Sequence, residues 1–253
     1  MPTIAEQLAQ LAQIKADIKD AIEAKGETVG SDALSTYATH ISNISGGGGD
    51  NLPAFINNTL TEVTVENGVT TLRSYVLTGL TSLVRLTLPS TITTINDYAF
   101  YNCQNLEQVN IPSSVTQIKS GVFQNCYKLP SIDLSSGTTS IGANAFVNCR
   151  ALTSITIPSL VTSIGGSAFN GATRLTTIIC KATTPPTITA NTFGNGNNNY
   201  TGRNSYSAGT NKVYVPNGKS SAYSTAWSGN ALLDSTKCGF TIAELDANGN
   251  IPT

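Results

Sequence analysis

Apolar residues return along this chain at a fixed interval, and the polar positions between them return in step. Leu60, Leu83, Leu106, Leu129, Leu152 and Leu175 are each 23 residues apart. Val63, Leu86, Val109, Ile132, Ile155 and Ile178 form a second column at that interval. Ile95, Ile118, Ile141 and Ile164 form a third, and Phe100, Phe123, Phe146 and Phe169 a fourth. A constant period of roughly 20–50 residues marks stacked repeats, in which each unit buries its apolar side chains against its neighbours instead of in one compact core.

One unit, residues 92–114, shows what each repeat contributes. Leu106, Val109 and Ile111 have the spacing L-x-x-L-x-L, and Val109 and Ile111, two apart, share one face of a short strand. Pro112 lacks a backbone donor and ends that strand, as Pro89 and Pro158 do in their copies. Ile92 and Ile95 predict a second short extended segment. Ala99, Phe100 and Cys103, at offsets of one and four, predict a single helical turn. The fold class expected is mainly β with short helical turns: a solenoid of 23-residue repeats.

The string SIGANAFVNCRALTSITIPSLVTSIGGSAF carries this pattern almost without interruption. It resembles the BspA-type leucine-rich repeats of bacterial surface proteins, over about residues 53–245. The resemblance implies adhesion or recognition and brings no catalytic residues with it. Leu77 replaces Phe in the first full copy and Ala172 replaces Cys in the last, as expected of end repeats. After them, Val213 and Val215 alternate in a strand stopped by Pro216, and residues from Ala222 to Trp227 are expected to form a helical turn over the last repeat. The resemblance implies that this part is a closing cap. Residues 194–211 break the period with a Gly/Asn-rich insertion, expected as a surface loop.

Residues 1–45 have a different period. Thr3 and Glu6 form a capping box, and Ile4, Leu8, Leu11, Ile18 and Ile22 make an apolar helical stripe. Gly26 stops that helix, and Leu34, Tyr37, Ile41 and Ile44 predict a second. This small α-helical module is too short to hide its own apolar faces, so it is expected to pack on itself, on the repeats or on other copies. Residues 46–52 form a Gly-rich linker reaching about 15 Å on average. The remaining residues, 53–253, form the repeat solenoid with its C-terminal cap. The motif I-x-x-A-I-x-x-K-G followed by L-x-x-Y-x-x-x-I-x-x-I is similar to an N-terminal helical segment of phage and prophage tail proteins of gut bacteria, which implies attachment to a particle.

Composition narrows the function classes. The 253 residues carry a net charge of −1, and 11% are charged, which leaves no basic excess for nucleic acid. No apolar run approaches the roughly 18 residues of a membrane span. Charges interrupt the N-terminus too often for a signal peptide. The expected location is a virion or tail assembled in the bacterial cytoplasm, with a bacterial cell surface or secretion as the alternative. Cys103, Cys126 and Cys149 share one column and are expected as small buried side chains, with Cys180 and Cys238 elsewhere. An odd count without C-x-x-C argues against zinc and a full disulfide framework.

Catalytic chemistry is not visible. His40 is the only histidine, so a serine or cysteine nucleophile lacks its usual base. Carboxylates are scattered, and Asp246 to Asn250 has half of a calcium loop without its later Glu, so a chain-end turn is expected there. No catalytic residue, metal site or cofactor is expected. Binding is the positive reading. Arg85, Gln108, Ser131, Ser154 and Thr177 form one outward strand column, and Thr87, Asn110, Asp133, Thr156 and Ile179 its neighbour. Tyr75, Tyr98, Tyr101 and Tyr127 are expected near one another at the helical-turn edge, and Tyr200, Arg203 and Tyr206 in the insertion. The candidate binding residues are therefore these tyrosines with Arg85, Gln108, Asn110, Asp133 and Arg203.

The expected function is non-enzymatic recognition, as a phage or prophage tail component contacting a bacterial cell surface. The alternatives are a bacterial cell-surface adhesin binding host protein or glycan, and a structural spacer. The expected partners are a cell-surface protein or glycan, with self-association or virion docking through residues 1–45. Nucleic acid binding and membrane insertion are not expected.

Overall fold

The computed structural model of the protein describes residues 61–65, 67–189, 191–194, 211–230, 232–233 and 239–252. The helical module expected over 1–45, the linker 46–52, Leu60, Cys238 and the insertion's Tyr200, Arg203 and Tyr206 lie outside the described residues. In chain order the first strands are β1 (Glu62–Thr64), β2 (Thr71–Leu72), β3 (Arg85–Thr87), β4 (Thr94–Ile95), β5 (Gln108–Val109) and β6 (Gln117–Ile118). Then come β7 (Ser140–Ile141), β8 (Ser154–Ile157), β9 (Ser163–Ile164), β10 (Thr177–Cys180) and β11 (Lys212–Val215). Helix α1 (Ser220–Ala226) and strand β12 (Thr241–Glu244) follow.

Every pairing between these strands is parallel. The leucine-led strands form the ladders β1-β3-β5 and β8-β10-β11-β12. Glu62 pairs with Arg85, Arg85 with Gln108, and Ser154 with Thr177, so the register is the sequence period itself. Slipping it by one residue would turn Leu86, Ile155 and Ile178 from the interior to water. Residues 131–134, expected as a strand like the other copies, are not one. The cause is Pro130. At the corresponding positions the Val84, Glu107 and Thr176 N–H groups donate to Thr61, Val84 and Thr153 at 2.7, 2.9 and 3.0 Å. Proline has no N–H to offer there. Ile132 stays buried regardless.

The second extended segment forms β2-β4 and β6-β7-β9, and Thr187 continues the latter by bridging to Ser163. A threonine column reinforces it. The hydroxyls of Thr93, Thr139, Thr162 and Thr187 donate to the carbonyls of Thr70, Thr116, Thr139 and Thr162, one repeat back, at 3.0 to 3.4 Å.

The third segment differs from the single helical turn expected around Phe100. Residues 98–102 form successive i→i+3 turns, with Tyr98 and Asn102 in the left-handed region at φ 57° and 62°. That conformation points alternate N–H groups at the next repeat. Tyr98, Phe100 and Asn102 donate to the carbonyls of Ser120, Val122 and Gln124 at 2.9, 3.1 and 2.8 Å. A helix would have spent those donors internally. Asparagine and glycine tolerate this conformation best, and Gly79, Asn102, Asn125, Asn148 and Gly171 fill one such column.

Inside, the phenylalanines form a spine. Phe100, Phe123, Phe146, Phe169 and Phe193 follow one another with centroids 5.4, 5.5, 5.3 and 5.2 Å apart, and all are buried. The cysteine column runs beside it. Cys103, Cys126 and Cys149 are buried, and their thiols donate to the carbonyls of Leu77, Phe100 and Phe123 at 3.1, 3.4 and 3.2 Å. Burial pushes the Cys103 thiol up to about 12 and also raises those of Cys126, Cys149 and Cys180. The unfolded chain releases these protons from about pH 9, the ordinary thiol value, while the folded chain keeps them. Stability from this source is therefore complete below pH 9 and falls as pH climbs toward 12, by about 1.4 kcal/mol per pH unit for each thiol. Urea midpoints should drop steeply between pH 8 and pH 10.5, and less so in a Cys126→Ala variant compared with its own pH 8 value. In the Cys238→Ser protein, a thiol reagent should modify none of the other four until unfolding.

Helix α1 closes the end of the stack. Trp227 packs on Phe193 at 6.0 Å, extending the spine, and Tyr223 meets Trp227 edge-on at 5.1 Å. Their polar ends are satisfied: Tyr223 Oη donates to the Ala182 carbonyl at 2.8 Å, and Trp227 Nε1 to that of Pro186 at 2.9 Å. The helix has no capping side chain of its own at Lys219. Glu244 of β12 supplies one, accepting the Ser220 N–H at 3.0 Å. The Ser220 hydroxyl, then the Gly218, Ser220 and Lys219 N–H groups, hold its carboxyl down to about 2. The cap is therefore intact at neutral pH and is lost only as pH falls toward that value.

Candidate binding surface

Tyr75 and Tyr98 occupy the same position in successive repeats, both left-handed, at φ 63° and 57°. The same column continues with Gly121, Asn144 and Ser167 at 62°, 57° and 56°. Glycine and asparagine adopt this conformation cheaply, whereas a residue such as tyrosine costs about 1–2 kcal/mol there. The two rings lie parallel, 5.1 Å apart and 4° from coplanar, and Tyr101 meets Tyr98 edge-on at 6.0 Å. Beneath them is Gly121, where a Cβ would stand 2.2 Å from Tyr98 Cδ1 and Cε1. Glycine at 121 adopts this backbone without strain and gives the ring a floor. Tyr75 remains 53% exposed at the top of the stack.

Three of the four expected tyrosines are thereby brought together. Tyr127 stands apart from them in its contacts: it lies three register columns beyond that of Tyr101 and takes the Arg150 guanidinium over its ring at 4.7 Å. Beside the tyrosine stack, Lys119 Nζ donates to Asn96 Oδ1 at 2.7 Å, and Asp97 Oδ1 accepts the Ser120 N–H at 2.9 Å. The sequence reading named these tyrosines but missed the polar edge beside them. Its signal was the glycine at 121, in a column where the earlier copies have tyrosine.

The outward strand columns are exposed or half-buried, as their alternation requires. Arg85 links its column, pairing with Glu62 at 3.1 Å and donating from Nε to Gln108 Oε1 at 2.8 Å. Both partners of the ion pair are at least half exposed, so it contributes little to stability. Asn110 is committed to the fold. Its amide accepts the Leu88 N–H at 2.8 Å and donates to the Leu88 carbonyl at 2.7 Å, taking the place of a strand partner where Pro112 ends the ladder. Asp133 is exposed on the segment that Pro130 keeps out of the sheet. At the chain end, Asp246 Oδ1 accepts the N–H groups of Asn248 and Asn250 at 2.9 and 2.8 Å, a closed turn.

Among the described residues, no three His, Cys, Asp or Glu side chains converge as metal ligands would. No helix among them is long and apolar enough to cross a membrane. What the surface offers is stacked aromatic rings, hydroxyls, amides and a few separated charges. Such groups bind by stacking and hydrogen bonding.

No curated protein matches the chain. Among solved structures, a leucine-rich repeat protein from Bacteroides ovatus is 29% identical over 49% of this chain and 42% of its own, with a TM-score of 0.45. A leucine rich cell surface protein from Faecalibacterium prausnitzii is 33% identical over 47% of this chain and 32% of its own, with a TM-score of 0.46. The pneumococcal vaccine antigen PcpA shares the fold over 73% of this chain and 42% of its own, at 18% identity and a TM-score of 0.54. The chain thus spans less than half the length of each of these three proteins. The family described as BspA type leucine rich repeat region matches in six copies over residues 51–176. The parallel 23-residue units of that stretch are BspA-type leucine-rich repeats.

Proposed function

We propose that this protein is a non-enzymatic recognition protein that adheres to a cell-surface protein or glycan through the tyrosine shoulder of its repeat solenoid. The observation that carries this reading is Tyr75: a large ring, stacked on Tyr98, kept half exposed in a backbone conformation that disfavours it. Nothing in the packing requires a tyrosine there, since asparagine and serine fill the column in later copies. A strained, exposed aromatic residue on a rigid support suits a binding role. The rings would stack on a sugar face or an apolar side chain, while the hydroxyls and the neighbouring Lys119 and Asp97 take up polar groups.

The narrower version, a receptor-binding component of a phage or prophage tail, draws on the resemblance of residues 1–45. Copies held on one particle would turn weak contacts into firm attachment by raising effective concentration. The broader alternative is an adhesin on a bacterial cell surface, which draws on the repeats. Labelled protein should bind whole bacterial cells in the first case and host matrix proteins in the second.

The test of the shoulder separates binding from stability. Tyr75→Gly removes the exposed ring and also the left-handed strain, so the melting temperature should stay within a few degrees of the parent. Binding to the responsive cells or matrix protein should fall about tenfold or more, the scale of one aromatic anchor. Unchanged binding would remove the shoulder from the recognition surface.

A further inference from the structure

The repeat array carries a second surface feature, chemically unlike the tyrosine shoulder. Lys128, Arg150 and Arg174 come from three successive repeats, and all three side chains are exposed. Lys128 and Arg174 occupy one register column with the half-buried Ala151 between them. Strand spacing puts their backbones about 10 Å apart, two repeats along the stack. Arg150 precedes Ala151 and lies on the Tyr127 ring at 4.7 Å. Backbone bonds fix the floor: Ala151 N–H donates to the Tyr127 carbonyl at 3.0 Å, and Lys128 N–H to that of Gln104 at 3.2 Å.

No carboxylate forms an ion pair with any of these three cations among the described residues; the ion pair described there is Arg85 with Glu62. The nearest acid in register is Glu107, one repeat before Pro130 and on the Lys128 side of the group. Three unpaired cations thus gather on a chain whose net charge is −1. The Arg150 guanidinium lies over the Tyr127 ring at 4.7 Å, and its N–H groups make no hydrogen bond among the described residues. A guanidinium fixed that way is prepared to take a carboxylate through two parallel hydrogen bonds. The small Ala151 leaves room for it between Lys128 and Arg174.

We propose that Lys128, Arg150 and Arg174, with Tyr127 as support, form a binding site for the carboxylates of an acidic polysaccharide. A polysaccharide fits better than an acidic peptide for two reasons. The cations recur along the stack with the repeats, as carboxylates recur along a uronic acid polymer. In adjoining register, Gln104 Nε2 and Asn105 Nδ2 donate to Asn102 Oδ1 and the Thr81 carbonyl, which leaves their amide oxygens and the Thr173 hydroxyl for sugar hydroxyls. The site is separate from the tyrosine shoulder and does not depend on it.

The experiment is calorimetric titration of the full chain with polygalacturonate, with carboxyl-reduced polygalacturonate and with poly-L-glutamate, each at low and at physiological salt. Polygalacturonate should bind, more weakly as salt rises, and the carboxyl-reduced polymer should not. Arg150→Gln and Arg174→Gln should each weaken binding about tenfold, the scale of one charge-assisted contact. Arg150→Lys should recover only part of the loss, because it restores the charge without the fixed fork. Melting temperatures of these surface variants should match the parent, so a loss of binding reports on the site. Equal binding of the carboxyl-reduced polymer, full binding by Arg150→Gln with Arg174→Gln, or preference for poly-L-glutamate would each overturn the proposal. Tyr75→Gly should leave this titration unchanged, so its failure is distinguishable from failure of the shoulder.

Discussion

Replacing Trp227 with alanine should destabilise the protein more than any other single change near its C-terminal end. The indole fills the space beyond Phe193, and its loss opens a cavity costing about 3–5 kcal/mol. It also strips the Pro186 carbonyl of its donor, a further cost of about 1–3 kcal/mol if that buried group finds no water. The damage should begin at the cap, because Tyr223 and Phe193 both lean on the indole. In a stack, an end unit contacts one neighbour only, so unfolding should start there and proceed inward. Circular dichroism melts should show a transition lowered by ten degrees or more, or a new low-temperature phase. Trp227→Phe, which keeps the ring but not the donor, should recover most of the loss. A melt of Trp227→Ala coincident with the parent would mean that the cap contributes nothing to the stack.

The second large effect is expected at Phe146. It is fully buried midway along the spine, 5.5 Å from Phe123 and 5.3 Å from Phe169, and nearly parallel to both. Phe146→Ala should cost about 3–5 kcal/mol, because the repeats on either side are fixed by backbone bonds and cannot close the gap. Phe146 itself donates to the Ala168 carbonyl at 2.7 Å and Phe123 to that of Ala145 at 2.9 Å. Phe146→Leu should cost much less, since Leu77 occupies the same column and is buried there. Urea titration should show the alanine variant unfolding at a clearly lower midpoint and the leucine variant close to the parent. Equal midpoints for alanine and parent would contradict the spine as a source of stability.

The pairing of these repeats was legible because the hydrophobic period and the strand register are the same number. Leu86 opposite Val109, and Ile155 opposite Ile178, follow directly from the column alignment. The cap was legible too: alternating valines before Pro216 became β11, and Trp227 became the lid on the last ring. Pro130 stands where the other copies have an N–H donor, so it prevents a strand, unlike Pro89, Pro112 and Pro158, which end one.

The turn segment was harder to read. Offsets of one and four are equally consistent with a helical turn, and only the bonds to the next repeat select the left-handed alternative. Those bonds depend on a neighbour 22 residues away, which the local pattern at Ala99, Phe100 and Cys103 does not contain. On the surface, Tyr75, Tyr98 and Tyr101 lie near one another as expected, whereas Tyr127 takes Arg150, one repeat further on, over its ring. Asn110 was read as a ligand contact because its use on the Leu88 backbone depends on where the preceding strand stops.

The central claim is that successive 23-residue units stack in parallel at the spacing of a β-ladder. Spin labels at Arg85 paired in turn with Ser131, Ser154 and Thr177 test it most directly, since all four positions face outward along one register line. Labelling the Cys238→Ser protein through introduced cysteines avoids the four buried thiols. Electron–electron distances should lengthen by about 5 Å with each added repeat, reaching about 19 Å between 85 and 177. Separations that fail to grow with repeat number would contradict the stack.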